Sequence, residues 1–267
     1  MFDERVQIDV TGGVADVRLV RGDKHNALDW PMFKALDAAT DELEARTDVR
    51  VVVLHGEGPS FCSGLDFPSF MAGDVGVDEM ISDVPGEIAN IAQRVAYDWQ
   101  RLPMPVIAAL HGNCLGGGAQ IALGADLRIA GPDLKLCVME IRYGLIPDMG
   151  ISQVLPALVP LDVAKEVVFT GRTIAADEAL ALGLVTRVSD DPVAEANELA
   201  AEIAQKSPHA IRSGKRMLNA AYTGRDEGVL KLEAELQRAL VGSPNQIAAV
   251  TSAMTKEPAE YADPEAV

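Results

Sequence analysis

The N-terminal quarter of the chain alternates short apolar runs with turn-forming residues, which predicts strands mixed with helices. Residues 6–10 and 15–20 are two such runs on either side of a Thr-Gly-Gly turn, and they predict a β-hairpin. Asp29 as an N-cap and Pro31 in the first turn predict the start of a helix. The apolar face of this helix contains Phe33, Leu36 and Leu43. The β-branched run at residues 49–54 then predicts a buried strand.

The central part of the chain continues this mixture of elements. Residues 66–86 are rich in Gly, Asp and Met with weak periodicity, and they predict a long, irregular surface segment. Residues 87–102 have helical apolar spacing and are followed by two prolines, which predicts a helix that ends there. A buried strand is predicted at 106–110, followed by a glycine-rich turn and a helix that begins near Gly117.

The final third of the chain is predicted to be helical. Two more strands are expected at 127–130 and 134–138, and Gly171 and Gly183 are expected to end helices. Amphipathic helices are predicted over 195–205, 210–222 and 227–241. Because no linker interrupts the chain, we expect one α/β domain over 1–267, with a β/α core at 1–190 and a helical C-terminal region at 191–267.

The charge balance restricts the classes of partner. The 267 residues include 23 Lys and Arg against 40 Asp and Glu, a formal net charge of -17, and 48% of the residues are hydrophobic. This hydrophobic content is sufficient for a packed core and too high for a disordered chain. The acidic balance argues against nucleic acid and against an anionic membrane surface as partners, because both would require clustered basic residues.

The cysteines and the N-terminus favour a cytoplasmic protein. Cys62, Cys114 and Cys137 form no CxxC pair, which favours reduced thiols. The charged N-terminal stretch lacks the apolar core of a signal peptide. The most apolar stretch, residues 105–130, contains charged side chains and five glycines, which argues against a membrane span.

The first candidate for chemistry is the stretch at residues 105–120, where a buried strand leads into three glycines and a helix. Glycines allow close approach to the backbone, and a helix N-terminus presents unpaired N–H groups with partial positive charge. An oxyanion site and a tight turn with close packing are both open interpretations of this pattern. The motifs of dinucleotide sites, P-loops, GxSxG hydrolases and zinc sites are missing from the sequence, so no metal is expected.

Two further segments carry candidate chemistry. Ser63 and Gly64 follow the end of a predicted strand, where backbone N–H groups could face a ligand, although a plain turn fits equally. Glu140 and Asp148 are two carboxylates on either side of a Gly- and Pro-containing bend. Desolvation of Glu140 at the end of an apolar strand would raise its pKa and suit proton transfer. The alternatives are a solvated strand end for Glu140 and an N-cap role for Asp148.

Taken together, these segments resemble the crotonase superfamily, which contains the enoyl-CoA hydratases and isomerases. The resemblance begins at residues 21–28 and extends to Lys256, so it spans nearly the whole chain. Between these ends it rests on the stretches FCSGLD, HGNCLGGG, ADLRIA, MEIRYGLIPDMG, TGRTIAADEA and GLV. The order and spacing of the stretches are specific, although each stretch alone is weak.

The resemblance implies a ββα spiral core with a helical C-terminal trimerisation region, and a homotrimer or a hexamer. It implies an acyl-CoA thioester substrate, with coenzyme A as part of the substrate and no separate cofactor. The backbone N–H groups of Leu65 and Gly117 would form the oxyanion hole, and such donors contribute about 2.7–4 kcal/mol each. Residues expected at the substrate, and at its CoA moiety in particular, are Lys24, Ser63, Asp66 and Lys256.

One position departs from the hydratase pattern. The family's hydratases use two catalytic glutamates, of which Glu140 matches the second, whereas Gln120 stands at the position of the first. An amide cannot serve as a general base, although Gln120 could still orient a water molecule or the substrate. Asp148 matches an aspartate of the family's dienoyl-CoA isomerases, which also have a carboxylate where this chain has Gln120.

The sequence therefore favours double-bond isomerisation of an enoyl- or dienoyl-CoA, with Glu140 and Asp148 as catalytic residues. The first alternative is an enoyl-CoA hydratase that uses the same two carboxylates. The second is a CoA-thioester hydrolase or a non-catalytic CoA-binding homologue, because an enolate-stabilising site serves several reactions.

Overall fold

The structure is a computed structural model that describes residues 1–73, 77–82, 84–223 and 243–263. The strands are β1 (Val6–Thr11), β2 (Val14–Leu19), β3 (Val51–Gly56), β4 (Val106–Leu110), β5 (Asn113–Leu115), β6 (Leu127–Ala130), β7 (Lys135–Cys137), β8 (Ile174–Ala175) and β9 (Arg187–Val188). The helices are α1 (Trp30–Ala45), α2 (Phe67–Met71), α3 (Val77–Ile81), α4 (Ile91–Arg101), α5 (Gly117–Gly124), α6 (Ile151–Leu158), α7 (Leu161–Thr170), α8 (Ala176–Leu182), α9 (Pro192–Ala204), α10 (Pro208–Thr223) and α11 (Pro244–Thr255). Two 3-10 helices lie at Gly22–Lys24 and Glu140–Tyr143.

The strands form two sheets. The larger has the order β1-β2-β3-β4-β6-β9, in which the predicted β1–β2 hairpin is antiparallel and the other pairs are parallel. The smaller has the order β5-β7-β8. Strand β4 belongs to the large sheet and β5 to the small one, and only two residues separate them. The chain therefore changes sheets immediately before α5.

Strands β3 and β4 are buried on both faces, which explains their continuous apolar sequences. Alternate residues point to opposite sides of the sheet, so Leu54 and Ala108 join the core that contains α1 and α4. Val53 and Ile107 join a second core, formed with alanines of α9. The C-terminal region thus covers the sheet face that the first half of the chain leaves open.

Several element boundaries differ from the prediction. Part of the segment predicted to be irregular is helical, because α2 and α3 lie within residues 66–86. Helix α4 begins at Ile91 rather than residue 87, because Asn90 and Gln93 form a capping box that fixes its start. The two-residue strands β8 and β9 were not predicted, since they are extended only through pairing with β7 and β6. The predicted helix at 227–241 lies outside the described residues.

Two basic side chains, the buried Lys215 and the partly buried Arg212, attach α10 to the rest of the fold. Lys215 Nζ lies 2.7 Å from Asp126 Oδ2 and donates to the carbonyl oxygens of Trp99 and Met104, at 3.3 and 3.0 Å. Arg212 lies one turn earlier in α10 and donates to main-chain carbonyls near the end of α1. Polar contacts therefore supplement the apolar packing of this helix.

Among the described helices, none is long and apolar enough to cross a membrane.

Candidate active site at the start of helix α5

The N-terminus of α5 provides a free backbone donor. Gly116 caps the helix in a positive-φ conformation, and Gly117 is the first helical residue. The N–H of a first helical residue has no acceptor within its own helix. A Cβ atom at Gly117 would lie 2.7 Å from Leu28 Cδ1 and 2.8 Å from Met149 Sδ. Glycine fits here without rearrangement, whereas a larger residue would displace the ends of these two side chains.

A second backbone donor near Gly117 is the N–H of Leu65, which has no acceptor among the described residues. Leu65 forms a parallel bridge with Leu28, whose N–H donates to Gly64 O at 2.8 Å and whose carbonyl accepts from Asp66 N at 3.0 Å. In this arrangement the N–H of Leu65 itself points away from Leu28. A Cβ at Gly64, where φ is 84°, would lie 3.5 Å from Gly117 N. The backbone just before Leu65 therefore packs against the peptide of Gly117, and the two N–H groups are candidates for holding one oxygen atom with developing negative charge.

Gln120 is a buried amide with a fixed orientation. It is 1% exposed, and its Oε1 accepts a hydrogen bond from Met149 N at 2.9 Å. Because a backbone N–H can only donate, the Nε2 end of the amide must face the other way. There it donates to Glu140 Oε1 at 2.7 Å. Gln120 therefore presents a donor to the Glu140 carboxylate and has no proton to exchange with it.

Glu140 begins a 3-10 helix beside the glycine-rich turn. Its Oε1 lies 3.4 Å from where a Cβ of Gly116 would stand, next to the helix N-terminus. Its Oε2 is buried and has no hydrogen-bond partner among the described residues. Burial raises the pKa of Glu140, and the charge of Asp148 adds to the rise, while hydrogen bonds from backbone N–H groups and Gln120 oppose it. A desolvated carboxylate with one free oxygen is suited to accept a proton.

Asp148 lies close enough to Glu140 to influence its ionisation. The residue is exposed, although partial desolvation of its carboxyl raises its pKa as well. The alternative interpretation of Asp148 as an N-cap is wrong, because α6 begins at Ile151 and its N-cap is Gly150. The side chain is therefore available for chemistry next to Glu140.

The predicted contacts to coenzyme A lie on two parts of the surface. The loop at residues 62–66 is called the Leu65 loop below. Its Ser63 N donates to His25 O at 2.9 Å, so the exposed Lys24 lies in the segment that borders this loop. Lys256 is exposed at the C-terminal end of α11, in a left-handed backbone conformation. Within the described ranges, no hydrogen bond or ion pair joins Lys256 to the other candidates. Its contact with the substrate stays a prediction.

Asp66 has structural partners that the sequence did not indicate. Its Oδ2 accepts from Arg21 Nη1 at 2.7 Å, and its Oδ1 caps α2 by accepting from Ser69 N at 3.3 Å. Although burial favours the neutral form, Arg21 and the Ser69 N–H lower the pKa of Asp66 below its usual value. Both carboxylate oxygens are therefore engaged in holding the start of α2. A direct contact of Asp66 with substrate would compete with these bonds.

Asn26 organises the approach to the site and was also missed from the sequence. It is fully buried, accepts from Arg21 N at 2.9 Å and donates to the carbonyls of Ser60 and Phe61 at 2.9 and 3.1 Å. These bonds fix the turn after β3 that leads into the Leu65 loop. The signal was present in the stretch at 21–28, but a local motif does not reveal bonds to residues 35 positions away.

An aromatic contact connects the two sides of the site. The rings of Phe67 and Tyr143 lie 4.5 Å apart between centroids, with an interplanar angle of 39°. Phe67 follows the Leu65 loop, and Tyr143 ends the 3-10 helix that Glu140 begins.

In the described part of the chain, no group of three or more His, Cys, Asp or Glu side chains could hold a metal ion.

The arrangement combines the N–H groups of Leu65 and Gly117 with the desolvated carboxylate of Glu140 and with Asp148, which is close enough to influence it. The donors can stabilise a carbonyl oxygen as it becomes an oxyanion. The carboxylates can remove a proton from an adjacent carbon and return one. The structure thus brings Leu65, Gly117, Gln120, Glu140 and Asp148 together, while Lys24 and Lys256 lie on separate surface elements.

Comparisons with known proteins show which proteins this chain is similar to. The sequence model of a family described as Enoyl-CoA hydratase/isomerase matches residues 9–263. The mitochondrial Delta(3,5)-Delta(2,4)-dienoyl-CoA isomerase of Rattus norvegicus is 34% identical over 262 residues, which cover 91% of this chain and 77% of the relative. The short-chain-enoyl-CoA hydratase of Clostridium acetobutylicum is 31% identical over 258 residues, 96% of each chain. The crystal structure of an enoyl-CoA hydratase from Bacillus anthracis superposes with a TM-score of 0.87 at 27% identity, covering 96% of this chain and 98% of that one.

Proposed function

Because the chain belongs to the enoyl-CoA hydratase/isomerase family, we propose that it moves a carbon–carbon double bond along the acyl chain of a CoA thioester. The predicted family and the predicted crotonase fold are both confirmed, since the family match covers nearly the whole chain and the structural neighbours share its fold. The finer proposal, isomerisation, rests chiefly on one observation. Among the described residues, the only buried side chain that donates a hydrogen bond to Glu140 is the amide of Gln120.

The proposed reaction begins at the thioester. Its carbonyl oxygen accepts hydrogen bonds from the N–H groups of Leu65 and Gly117. Glu140 removes a proton from C2 of a 3-enoyl-CoA, the C–H electrons move into the conjugated system, and a dienolate forms. A proton then adds to C4, either from Glu140 itself or from Asp148 after it has taken up the proton that Glu140 removed, which leaves the double bond between C2 and C3. No oxidant and no water are consumed.

Gln120 supports isomerisation over hydration. Adding water to a 2-enoyl-CoA requires a base for the water and an acid for C2, which the family's hydratases meet with two glutamates. Here the buried amide cannot exchange a proton near neutral pH. Its fixed donor instead faces the base and favours the ionised state of Glu140. The site thus has one buried proton carrier, with Asp148 beside it.

Hydration is the second candidate function, because a relative that aligns over nearly the full length of both chains is named a short-chain-enoyl-CoA hydratase. In this version Asp148 positions the water and Glu140 exchanges the proton. A CoA-thioester hydrolase and a non-catalytic CoA-binding protein are the further alternatives, and the orphaned Oε2 of Glu140 argues against the non-catalytic one.

The decisive assay compares substrates. The protein is incubated separately with a 3-enoyl-CoA, a 3,5-dienoyl-CoA and a 2-enoyl-CoA, and the products are separated by chromatography. We expect the double bond to shift in one of the first two, with slower formation of 3-hydroxyacyl-CoA from the third. Fast hydration without any double-bond shift would reject isomerisation and support the hydratase. Release of free CoA would indicate a hydrolase.

We also propose that the enzyme is a homotrimer or a hexamer. Several large apolar side chains near the site are exposed, including Ile146 at 72%, Leu161 at 69% and Phe169 at 67%. Exposed apolar groups of this kind commonly mark association surfaces. Sedimentation equilibrium tests the proposal, and a monomer at micromolar concentration would contradict it.

A further inference from the structure

Cys62 lies between the two segments that carry the proposed oxyanion donors. It is completely buried and pairs with Cys114 in a parallel bridge. Its backbone N–H donates to Asn113 O at 3.0 Å, and its carbonyl accepts from Leu115 N at 3.0 Å. The backbone of Cys62 is therefore tied to β5, the strand that leads into α5.

The thiol of Cys62 holds the loop that contains Leu65. Its Sγ donates to Asn26 O at 3.1 Å and accepts from Gly64 N at 3.5 Å. Leu28 N binds the carbonyl of the same glycine, so Gly64 is held at both of its polar groups. Because glycine has the widest backbone freedom of any residue, these two bonds determine which way the following peptide N–H points.

The same side chain supports the first turn of α5. A Cβ atom at Gly118, the residue after Gly117, would lie 2.5 Å from Cys62 O, 2.7 Å from Cys62 Cβ and 2.8 Å from Cys62 Sγ. The helix backbone therefore packs directly on Cys62 with no intervening side chain. Any change in the size of residue 62 must alter the separation between this turn and the Leu65 loop.

We propose that Cys62 is a positioning residue that sets the distance and alignment of the Leu65 and Gly117 N–H groups. The proposal depends on the proposed function, in which these two groups bind the thioester oxygen. Cys62 acts as a neutral thiol, because complete burial raises its pKa to about 12. It is therefore neither a nucleophile nor a proton carrier.

Removal of the thiol should loosen the donors without affecting the binding of coenzyme A. In Cys62→Ala, Gly64 N loses its acceptor and a void opens beneath Gly118. Since a displacement of about 1 Å in a catalytic group reduces the rate roughly 100-fold, we expect kcat to fall about 10- to 100-fold. KM should change less than kcat, because residue 62 is buried and every side chain expected at CoA is kept. Cys62→Ser keeps a donor and an acceptor on a shorter bond and should lie between wild type and Cys62→Ala.

A spectroscopic test separates positioning from a general loss of stability. Hydrogen bonds to the carbonyl of a 2,4-dienoyl-CoA polarise its conjugated system and shift its absorption to longer wavelength. The shift is measured on bound 2,4-dienoyl-CoA in Glu140→Gln, which prevents turnover, and then in Glu140→Gln combined with Cys62→Ala or Cys62→Ser. The matched control is Cys137→Ala, since Cys137 is also fully buried and its thiol donates to Gly171 O at 3.0 Å. Its contact with the start of α5 is the backbone bond from Gly116 N to Cys137 O at 2.8 Å, which the substitution keeps.

We expect the red shift in Glu140→Gln and in its Cys137→Ala combination, and a shift reduced by at least half with Cys62→Ala. An unchanged shift with Cys62→Ala would overturn the role of Cys62. If Cys62→Ala does not fold, the test uses Cys62→Ser. A full red shift together with a wild-type kcat in Cys62→Ser would also overturn the role of Cys62. The lack of any shift in Glu140→Gln alone would instead reject the oxyanion hole and hence the proposed function.

Discussion

Two amide groups fix the hydrogen bond to Glu140, which opposes the rise in its pKa that burial causes. Gln120 Nε2 donates to its carboxylate, and Met149 N fixes the direction of the Gln120 amide. The sequence could show that residue 120 is an amide where relatives have an acid. It could not show which end of the amide faces Glu140, because that depends on a backbone N–H 29 residues away. The catalytic candidates were thus predictable, whereas the bonds that tune them were not.

Gln120→Glu should make hydration faster. The new carboxyl group can exchange a proton beside Glu140, so the site gains the second acid–base group that an amide lacks. We expect the rate of 3-hydroxyacyl-CoA formation from a 2-enoyl-CoA to rise at least about tenfold, a modest gain beside the roughly 10²- to 10⁴-fold that general acid–base catalysis provides. The control is Gln153→Glu, an exposed glutamine of α6, which should leave the rate unchanged. A hydration rate that stays at the wild-type value would contradict the explanation based on Gln120.

Asp148→Asn should separate the two proton steps. Glu140 can still remove the C2 proton, so exchange of that proton with D2O should persist while isomerisation falls about 10²-fold or more. The negative charge of Asp148 raises the pKa of Glu140, so its removal should lower that pKa. The base must be ionised to act, and the acid limb of the exchange rate should therefore move to lower pH. NMR of the C2 position across pH measures both effects, and a shift to higher pH would contradict the assignment.

At the level of elements, the sequence located most helices and strands and missed those that depend on tertiary pairing. The buried strands β3 and β4 were predictable from apolar runs alone. Strands β8 and β9 are only two residues long and are defined by their neighbours in the sheets. The start of α4 was placed too early, because apolar spacing at residue 88 continued the helical pattern while the capping box at Asn90 interrupted it.

Lys215→Met tests how α10 is attached. The change leaves the Asp126 carboxylate and two main-chain carbonyls without their buried cation. Removing one partner of a buried ion pair costs about 3–5 kcal/mol of unfolding free energy. Urea denaturation measures the loss, and Lys206→Met is the control, since its exposed pair with Glu202 at 4.0 Å contributes little. A loss below about 1 kcal/mol in Lys215→Met would show that apolar packing alone holds the helix.

For the whole molecule, the net charge of -17 poses an electrostatic problem for a substrate that carries phosphates. In the described part of the chain, most carboxylates are exposed or form ion pairs, and the long-range field of the net negative charge repels CoA. Specific cations must offset that field where CoA binds. Lys24 is an exposed candidate beside the Leu65 loop, so its contribution should be local and sensitive to salt.

Lys24→Ala should weaken the recognition of phosphates alone. We expect KM for an acyl-CoA to rise about five- to tenfold at low ionic strength, consistent with the loss of one charge-assisted contact of about 1 kcal/mol or more. KM for the corresponding acyl-pantetheine, which lacks the nucleotide phosphates, should be unchanged. The exposed Lys34 of α1 serves as the charge-matched control. Equal increases in KM for the acyl-CoA and the acyl-pantetheine would show that Lys24 does not contact the phosphates.

The central claim is that Glu140 is the base that initiates a double-bond shift, and the most direct measurement is the isomerisation rate of Glu140→Gln. Glutamine preserves size and can still accept the hydrogen bond from Gln120, but it cannot take up a proton. We predict that kcat for the double-bond shift falls about 10²- to 10⁴-fold, the usual contribution of a general base, while the substrate still binds. A Glu140→Gln enzyme that isomerises its substrate at the wild-type rate would contradict the assignment.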